Sequence, residues 1–247
     1  MKILGALLTN DKRTNTVDIT IRTAKKVNRL SYIEMFCFSD QKLAIQKGKE
    51  NNLKVNIFER PEPDVKKITC SYWNLETGMR ETELMQLSWL RNKALEKAKD
   101  YDYIYFIDSD LVIPEDAIEK LLLTEADIAL GWYFHKRLPV LALAWKGKDI
   151  KNIDEDIKNE KIVDIYSGGN GGVLFNKNVI KNIRYDLYNG VKAEDTIFYQ
   201  KARKQGIIIR ADLGLHYQHL GYDWKPKAIK FAKEKSKIWK LKTPSFK

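Results

Sequence analysis

Asp108 and Asp110 stand one residue apart at the end of the run Tyr103-Ile104-Tyr105-Phe106-Ile107. Five apolar or aromatic, β-favouring residues in a row suit a strand buried on both faces of a sheet. Carboxylates at the C-terminal end of such a strand lie where open α/β sheets bind their ligands. Side chains alternate along a strand, which puts Asp108 and Asp110 on one side and turns Ser109 away. Two carboxylates so placed can share a divalent cation, or divide the labour between metal and sugar. That geometry suits nucleotide-sugar chemistry. Without its neighbours, Asp-Ser-Asp is also an ordinary turn and helix-capping sequence, and Pro114-Glu115-Asp116 opens a helix shortly afterwards.

The elements that must position this pair alternate between strand and helix from the start. Residues 3–8 read as a strand followed by the polar loop Thr9-Asn10-Asp11-Lys12-Arg13. A helix is expected over 16–28, a strand over 32–38 ending in Ser39-Asp40, a helix over 42–51 and a strand over 55–58. Beyond the bend at Pro61-Glu62-Pro63 comes a polar loop with Tyr72, Trp73 and Gly78. A helix starting at Thr82 then sets Leu84, Leu87, Leu90 and Leu95 on one face and leads into the Asp-Ser-Asp strand. Such units predict an α/β fold with a mostly parallel central sheet flanked by helices.

The second half is less regular. Residues 128–133 and 140–144 read as strands, and 149–161 as a charged surface excursion. Gly168-Gly169-Asn170-Gly171-Gly172 leads into the strand Val173-Leu174-Phe175, with a short helix from Asn178. Residues 194–205 form a helix closed by Gly206, whose missing Cβ suits the cap. A strand over 207–210 precedes His216 and His219.

Composition bounds the alternatives. A 247-residue chain that is 44% hydrophobic with six tryptophans can bury a sizeable core, which argues against disorder. No apolar run approaches the roughly eighteen residues of a membrane span. The first eight residues lack a cleavage site and read as a strand, so a cytoplasmic location is expected. Cys37 lies in an apolar run and Cys70 has no CxxC partner, which argues against a disulfide or zinc site. The net charge is +11, but nine lysines against one glutamate follow from Lys225 onward, leaving only +3 for residues 1–224. One domain over 1–224 and a basic amphipathic tail over 225–247 are expected. In the tail Ile229, Phe231, Ile238, Trp239 and Leu241 interleave with lysines. That pattern suits an anionic membrane surface at the inner face, or a terminal helix packed on the domain. With the charge confined there, no nucleic-acid partner is expected.

The ordered set of features resembles the GT-A fold glycosyltransferases, particularly family 2-like members. The features are an N-terminal βαβαβ half, Arg91-Asn92, Asp108-Ser109-Asp110, the glycine-rich segment, Glu194-Asp195 and His219. They span residues 1–222. The resemblance implies a metal-dependent, inverting hexosyl transfer from a UDP- or GDP-sugar to an acceptor hydroxyl. It implies that Asp110, Asp108 and His219 hold Mn²⁺ or Mg²⁺ with the diphosphate, which neutralises charge on the leaving group. Asp195, with Glu194 beside it, would be the general base. Thr9, Asn10, Asp11, Arg13, Asp40, Arg91, Asp108 and Ser109 would face the nucleotide sugar. Trp132, Tyr133, Gly169, Asn170 and Gly171 would line the sugar or acceptor pocket. Residues 104–112 also resemble the nucleophile strand of haloacid-dehalogenase-like phosphatases, with Asp108 phosphorylated and Asp110 as acid/base. That family opens with this strand, whereas three βα units precede it here. A nucleic-acid-binding protein acting through the tail is the non-enzymatic alternative.

Overall fold

Alternation of buried side chains on two faces is visible in every central strand. The computed structural model describes residues 1–61, 81–136, 143–144, 155–186, 194–220 and 224–241, with main chain alone at 81–84, 143–144 and 194. The first half runs β1 (Ile3–Leu8), α1 (Thr14–Ala24), β2 (Tyr32–Phe38), α2 (Lys42–Glu50), β3 (Lys54–Phe58), α3 (Glu81–Lys97) and β4 (Tyr103–Asp108). It continues with β5 (Leu111–Val112), α4 (Ala117–Leu123), β6 (Ile128–Trp132), β7 (Leu143–Ala144), β8 (Ile162–Asp164) and β9 (Ser167–Gly168). The last part comprises β10 (Val173–Asn176), α5 (Lys177–Asn182), α6 (Glu194–Lys204), β11 (Ile209–His216), β12 (Gln218–His219) and α7 (Pro226–Ile238).

Eight strands form one sheet in the order β3-β2-β1-β4-β10-β6-β11-β8. Neighbours are parallel except where β10 inserts between β4 and β6, and where β8 closes the edge beside β11. In β4, Ile104 and Phe106 enter one core cluster while Tyr105 and Ile107 enter the other. Both faces are therefore covered, as the uninterrupted apolar run requires. Val17 and Ile21 of α1 and Ile118 and Leu121 of α4 cover one face; Leu90 and Leu95 of α3, Phe198 of α6 and Ala228 and Ala232 of α7 cover the other. The architecture is an α/β, GT-A-like single domain.

Several expectations are refined. The first helix starts earlier, at Thr14, behind a 3₁₀ turn at Asp11–Arg13. The last strand is longer and holds His216 rather than leaving it in a loop. Asp156 and Ile157 are each only 5% exposed and tie the charged 149–161 segment to the domain, while Glu155 and residues 158–161 are exposed, as a surface excursion requires. Gly206 does cap its helix, at φ +75°. Cys37 is buried and reduced, and its thiol is pushed up to about 11 by burial and then by Asp11 and Asp40. The expected loop over 62–80 with Cys70, residues 140–142 of the expected strand, residues 149–154 and Gly221 lie outside the described residues.

Residues 224–241 belong to the fold. Pro226 starts α7 at its first turn, where a missing N–H costs nothing. Ile229, Phe231 and Leu241 pack against the main core cluster, and Trp239 is itself part of it. Trp239 stacks on Phe134 at 5.9 Å and meets Trp132 edge-on at 5.4 Å. The apolar side expected to face a membrane is thus largely taken by the domain; Ile238 stays 46% exposed. No described helix is long and apolar enough to cross a membrane.

Candidate active site

β1, β2, β4, β6 and β11 all end at one edge of the sheet, and antiparallel β10 begins there. Asp108 is the last residue of β4, and Asp110 sits in the turn that follows. The carboxylates are therefore not two positions of one strand. Asp110 is 5% exposed, and its Oδ2 is 2.7 Å from Lys136 Nζ, 2.8 Å from Arg13 Nη1 and 3.3 Å from His219 Nε2. Burial alone would raise the Asp110 carboxyl. His219, Arg13 and Lys136 outweigh that and hold it well below the usual carboxylate range.

His219 reaches this position because β12 pairs with β5, setting His219 opposite Leu111, one residue beyond Asp110. Leu220 N donates to Asp110 O at 2.7 Å and locks that pairing. His219 Nδ1 lies 3.1 Å from Phe134 O, so Nε2 is the nitrogen left for Asp110. Asp110 and His219 are the residues that would hold a divalent cation of the kind that shares its shell with a diphosphate. Such ions take one or two protein groups and draw the remainder from phosphate and water. Among the described residues no group of three or more His, Cys, Asp or Glu side chains is placed to hold a metal ion.

Asp108 has different surroundings. Its Oδ1 is 3.9 Å from Arg91 Nη2. Its carboxyl is pushed upward by burial, with Asp110 adding to the rise and Arg91 opposing it. Arg91 is 3% exposed and lies over the Tyr185 ring at 5.4 Å, so it is not a solvated helix arginine. Asn92 fixes Tyr185 by two hydrogen bonds of 2.8 Å to its main chain. The antiparallel register pairs Val173 with Phe106, and two residues further on brings Gly171 against Asp108. A Cβ on Gly171 would lie 2.6 Å from Asp108 Oδ2. Gly172 has φ +78° and is packed on the Tyr217 ring, whose hydroxyl donates to Gly172 O at 2.9 Å. Beside them Asn170 is 2% exposed; its Oδ1 accepts from Tyr199 at 2.9 Å, and its Nδ2 has no partner among the described residues.

Asp195 is half-buried at the start of α6, with Oδ1 accepting from Thr196 N at 2.6 Å. It belongs to the same electrostatic neighbourhood as the motif. Tyr133 is pushed well up by burial and then by the charges of Asp108, Asp195 and Asp110. The side chain of Glu194 lies outside the described residues.

Other expected residues are used differently. Asn10 caps the 3₁₀ turn by accepting from Lys12 N, and Asp11 Oδ1 accepts from Ala44 N of α2 at 2.9 Å. Both serve the scaffold of the loop. Thr9 is 6% exposed and its Oγ1 is buried without a partner among the described residues. Asp40 is exposed and paired with Arg60 Nε at 2.7 Å. Ser109 is buried, and its carbonyl accepts from Thr16 at 2.9 Å. Trp132 is fully buried with its indole N–H donated to Leu213 O at 2.8 Å, so it offers no stacking face to a sugar. Tyr133 borders the site by packing on His219, ring centres 5.0 Å apart. His216 is half-buried, its ring 4.5 Å from that of Trp132, and among the described residues its HxxH spacing with His219 makes no metal site. A separate cleft of about 250 Å³, near Tyr103 and Asn176, lies at the opposite edge of the sheet and holds none of these groups.

Sequence reasoning missed Lys136. It is one of 44 lysines and arginines, with no pattern to single it out. Arg91 did carry a signal: it lies four residues from both Leu87 and Leu95, on the apolar stripe of α3.

Sheet order and site edge define a GT-A-like domain, and the comparisons with solved structures agree. The chain is similar to the structure of A197 from STIV, at 16% identity over 90% of this chain and 87% of that one, with a TM-score of 0.51. It is also similar to GalNAc-T7 with UDP, GalNAc and Mn²⁺, at 10% identity and a TM-score of 0.59, covering 97% of this chain but 48% of that one. At these identities the likeness establishes the fold. No family model and no curated protein sequence matches the chain.

Proposed function

We propose that the protein is a metal-assisted, family 2-like glycosyltransferase that moves a sugar from a UDP- or GDP-sugar to an acceptor hydroxyl. The observation that supports this most is the Asp110–His219 pair, 3.3 Å apart at the ligand edge with the imidazole tied to Phe134. Asp110 and His219 would hold Mn²⁺ or Mg²⁺, with Asp108 toward the donor. When bound, that cation would neutralise charge appearing on the diphosphate. The solved neighbour that binds UDP and Mn²⁺ fits this reading.

The chain's own residues supply the rest. Arg13 and Lys136 place positive charge where the diphosphate would lie. Arg91 holds Asp108, and Gly171 lets the donor approach that carboxylate closely. Asp195 acts as the base. It takes the proton of the acceptor hydroxyl as that oxygen bonds to the anomeric carbon, while the sugar–phosphate bond breaks and its electron pair leaves with the diphosphate. A single displacement of this kind inverts the anomeric centre.

The test is a thermal-shift panel of UDP, GDP, CDP and ADP, each with Mn²⁺ and with EDTA. One nucleotide should raise the melting temperature only with metal present. Asp195→Asn should keep that shift but lose donor turnover. No shift with any nucleotide would overturn the reading.

A further inference from the structure

Three nitrogens crowd a single oxygen of Asp110. Lys136 Nζ, Arg13 Nη1 and His219 Nε2 stand 2.7, 2.8 and 3.3 Å from Oδ2. An ionised carboxylate offers about four lone-pair sites over two oxygens, so this oxygen is saturated. A divalent cation bonds oxygen at about 2.0–2.6 Å, inside the shell these nitrogens occupy. It cannot reach Oδ2 unless one of them withdraws.

The three differ in what they can do. His219 is held from behind by Phe134 O and would itself be a ligand. The Arg13 side chain is a third exposed, on the 3₁₀ turn after β1. The Lys136 side chain is only 5% exposed and makes the closest contact, and its main chain is pinned by Lys225 N donating to Lys136 O at 2.9 Å. Its ammonium, a compact charge on a flexible four-carbon stem, can turn without moving that main chain. A bare divalent ion would add two charges beside the cations of Arg13 and Lys136. A diphosphate arriving with the ion brings an anion that the displaced ammonium can meet.

We infer that Lys136 is a displaceable counter-ion of Asp110, which bars a divalent cation from the site until a diphosphate draws the ammonium away. This rests on the proposed reading of the edge as a metal–diphosphate site. Metal and nucleotide then bind cooperatively, and removal of the lysine charge uncouples them.

The experiment is Mn²⁺ binding by electron paramagnetic resonance, with and without UDP or GDP, for the unmodified protein, Lys136→Met and Lys136→Arg. The unmodified protein should bind Mn²⁺ weakly alone and about 5- to 150-fold more tightly with the nucleotide, the usual span of such coupling. Lys136→Met should bind Mn²⁺ alone more tightly than the unmodified protein by a factor in the same range, and respond less to nucleotide. Lys136→Arg, which keeps the charge, should bind the bare ion as weakly as the unmodified protein; thermal melts check that each variant is folded. If Lys136→Met binds bare Mn²⁺ no more tightly while nucleotide still strengthens all three, the inference falls and the metal–diphosphate reading stands. If none of the three binds Mn²⁺ under any condition, that reading falls and takes the inference with it.

Discussion

His219 Nδ1 lies 3.1 Å from the carbonyl oxygen of Phe134, two residues beyond the end of β6. That contact fixes the imidazole and directs Nε2 at Asp110, while the ring packs edge-on against Tyr133. Orienting contacts of this kind are worth about 10- to 100-fold in metal affinity. His219→Phe keeps the packing and removes both nitrogens. We expect a melting temperature near that of the unmodified protein and a loss of Mn²⁺-dependent nucleotide binding of at least about tenfold. Titration of UDP or GDP with and without Mn²⁺ checks this.

Acid should weaken the protein through His216. Burial lowers its pKa to about 4, against about 6.5 when unfolded. Between those values the unfolded chain binds the extra proton, so stability falls as pH drops from 6.5 towards 4. The loss should total about 2–3 kcal/mol, at about 1.4 kcal/mol per unit. Asp110 has the opposite kind of group but the same direction: its depressed folded pKa stabilises above about pH 4 and is lost below it. His216→Phe should flatten the slope between pH 7 and 5 and leave the steeper acid limb. Urea unfolding across that range separates the two.

Two glycines make opposite predictions. Gly206→Ala meets nothing within 4 Å, so only its φ of +75° matters; we expect a stability loss of about 1–2 kcal/mol with nucleotide binding unchanged. Gly171→Ala places its Cβ 2.6 Å from Asp108 Oδ2 at an unstrained φ. It should cost donor binding and turnover out of proportion to any change in melting temperature. Paired melts and nucleotide titrations distinguish them.

Trp239 ties α7 to the domain core. It is 7% exposed against Trp132 and Phe134, and Trp239→Ala should cost about 3–5 kcal/mol. Deleting residues 225–247 should expose that aromatic cluster and destabilise the whole domain. With most of the apolar side of α7 used internally, attachment to anionic vesicles would rest on lysine charge. Binding should therefore disappear in high salt and in Lys227→Gln/Lys230→Gln/Lys237→Gln. Vesicle co-sedimentation at two salt concentrations measures it.

Local patterning in the sequence determined the layered α/β fold. The run from Tyr103 to Ile107 and the stripe of Leu87, Leu90 and Leu95 each report burial by a short period, and short periods survive in one dimension. The end of β4 marked the ligand edge for the same reason, because an apolar run that stops at a carboxylate needs no distant partner to be recognised. Tertiary structure alone decided what surrounds those carboxylates. Antiparallel insertion of β10 sets Gly171 on Asp108, and the β5–β12 pairing carries His219 to Asp110. Lys136 joins them from four residues beyond the end of β6. Each contact joins residues 26 to 109 positions apart. No propensity or spacing encodes such pairs, because the sheet order that closes them is a property of the whole folded chain.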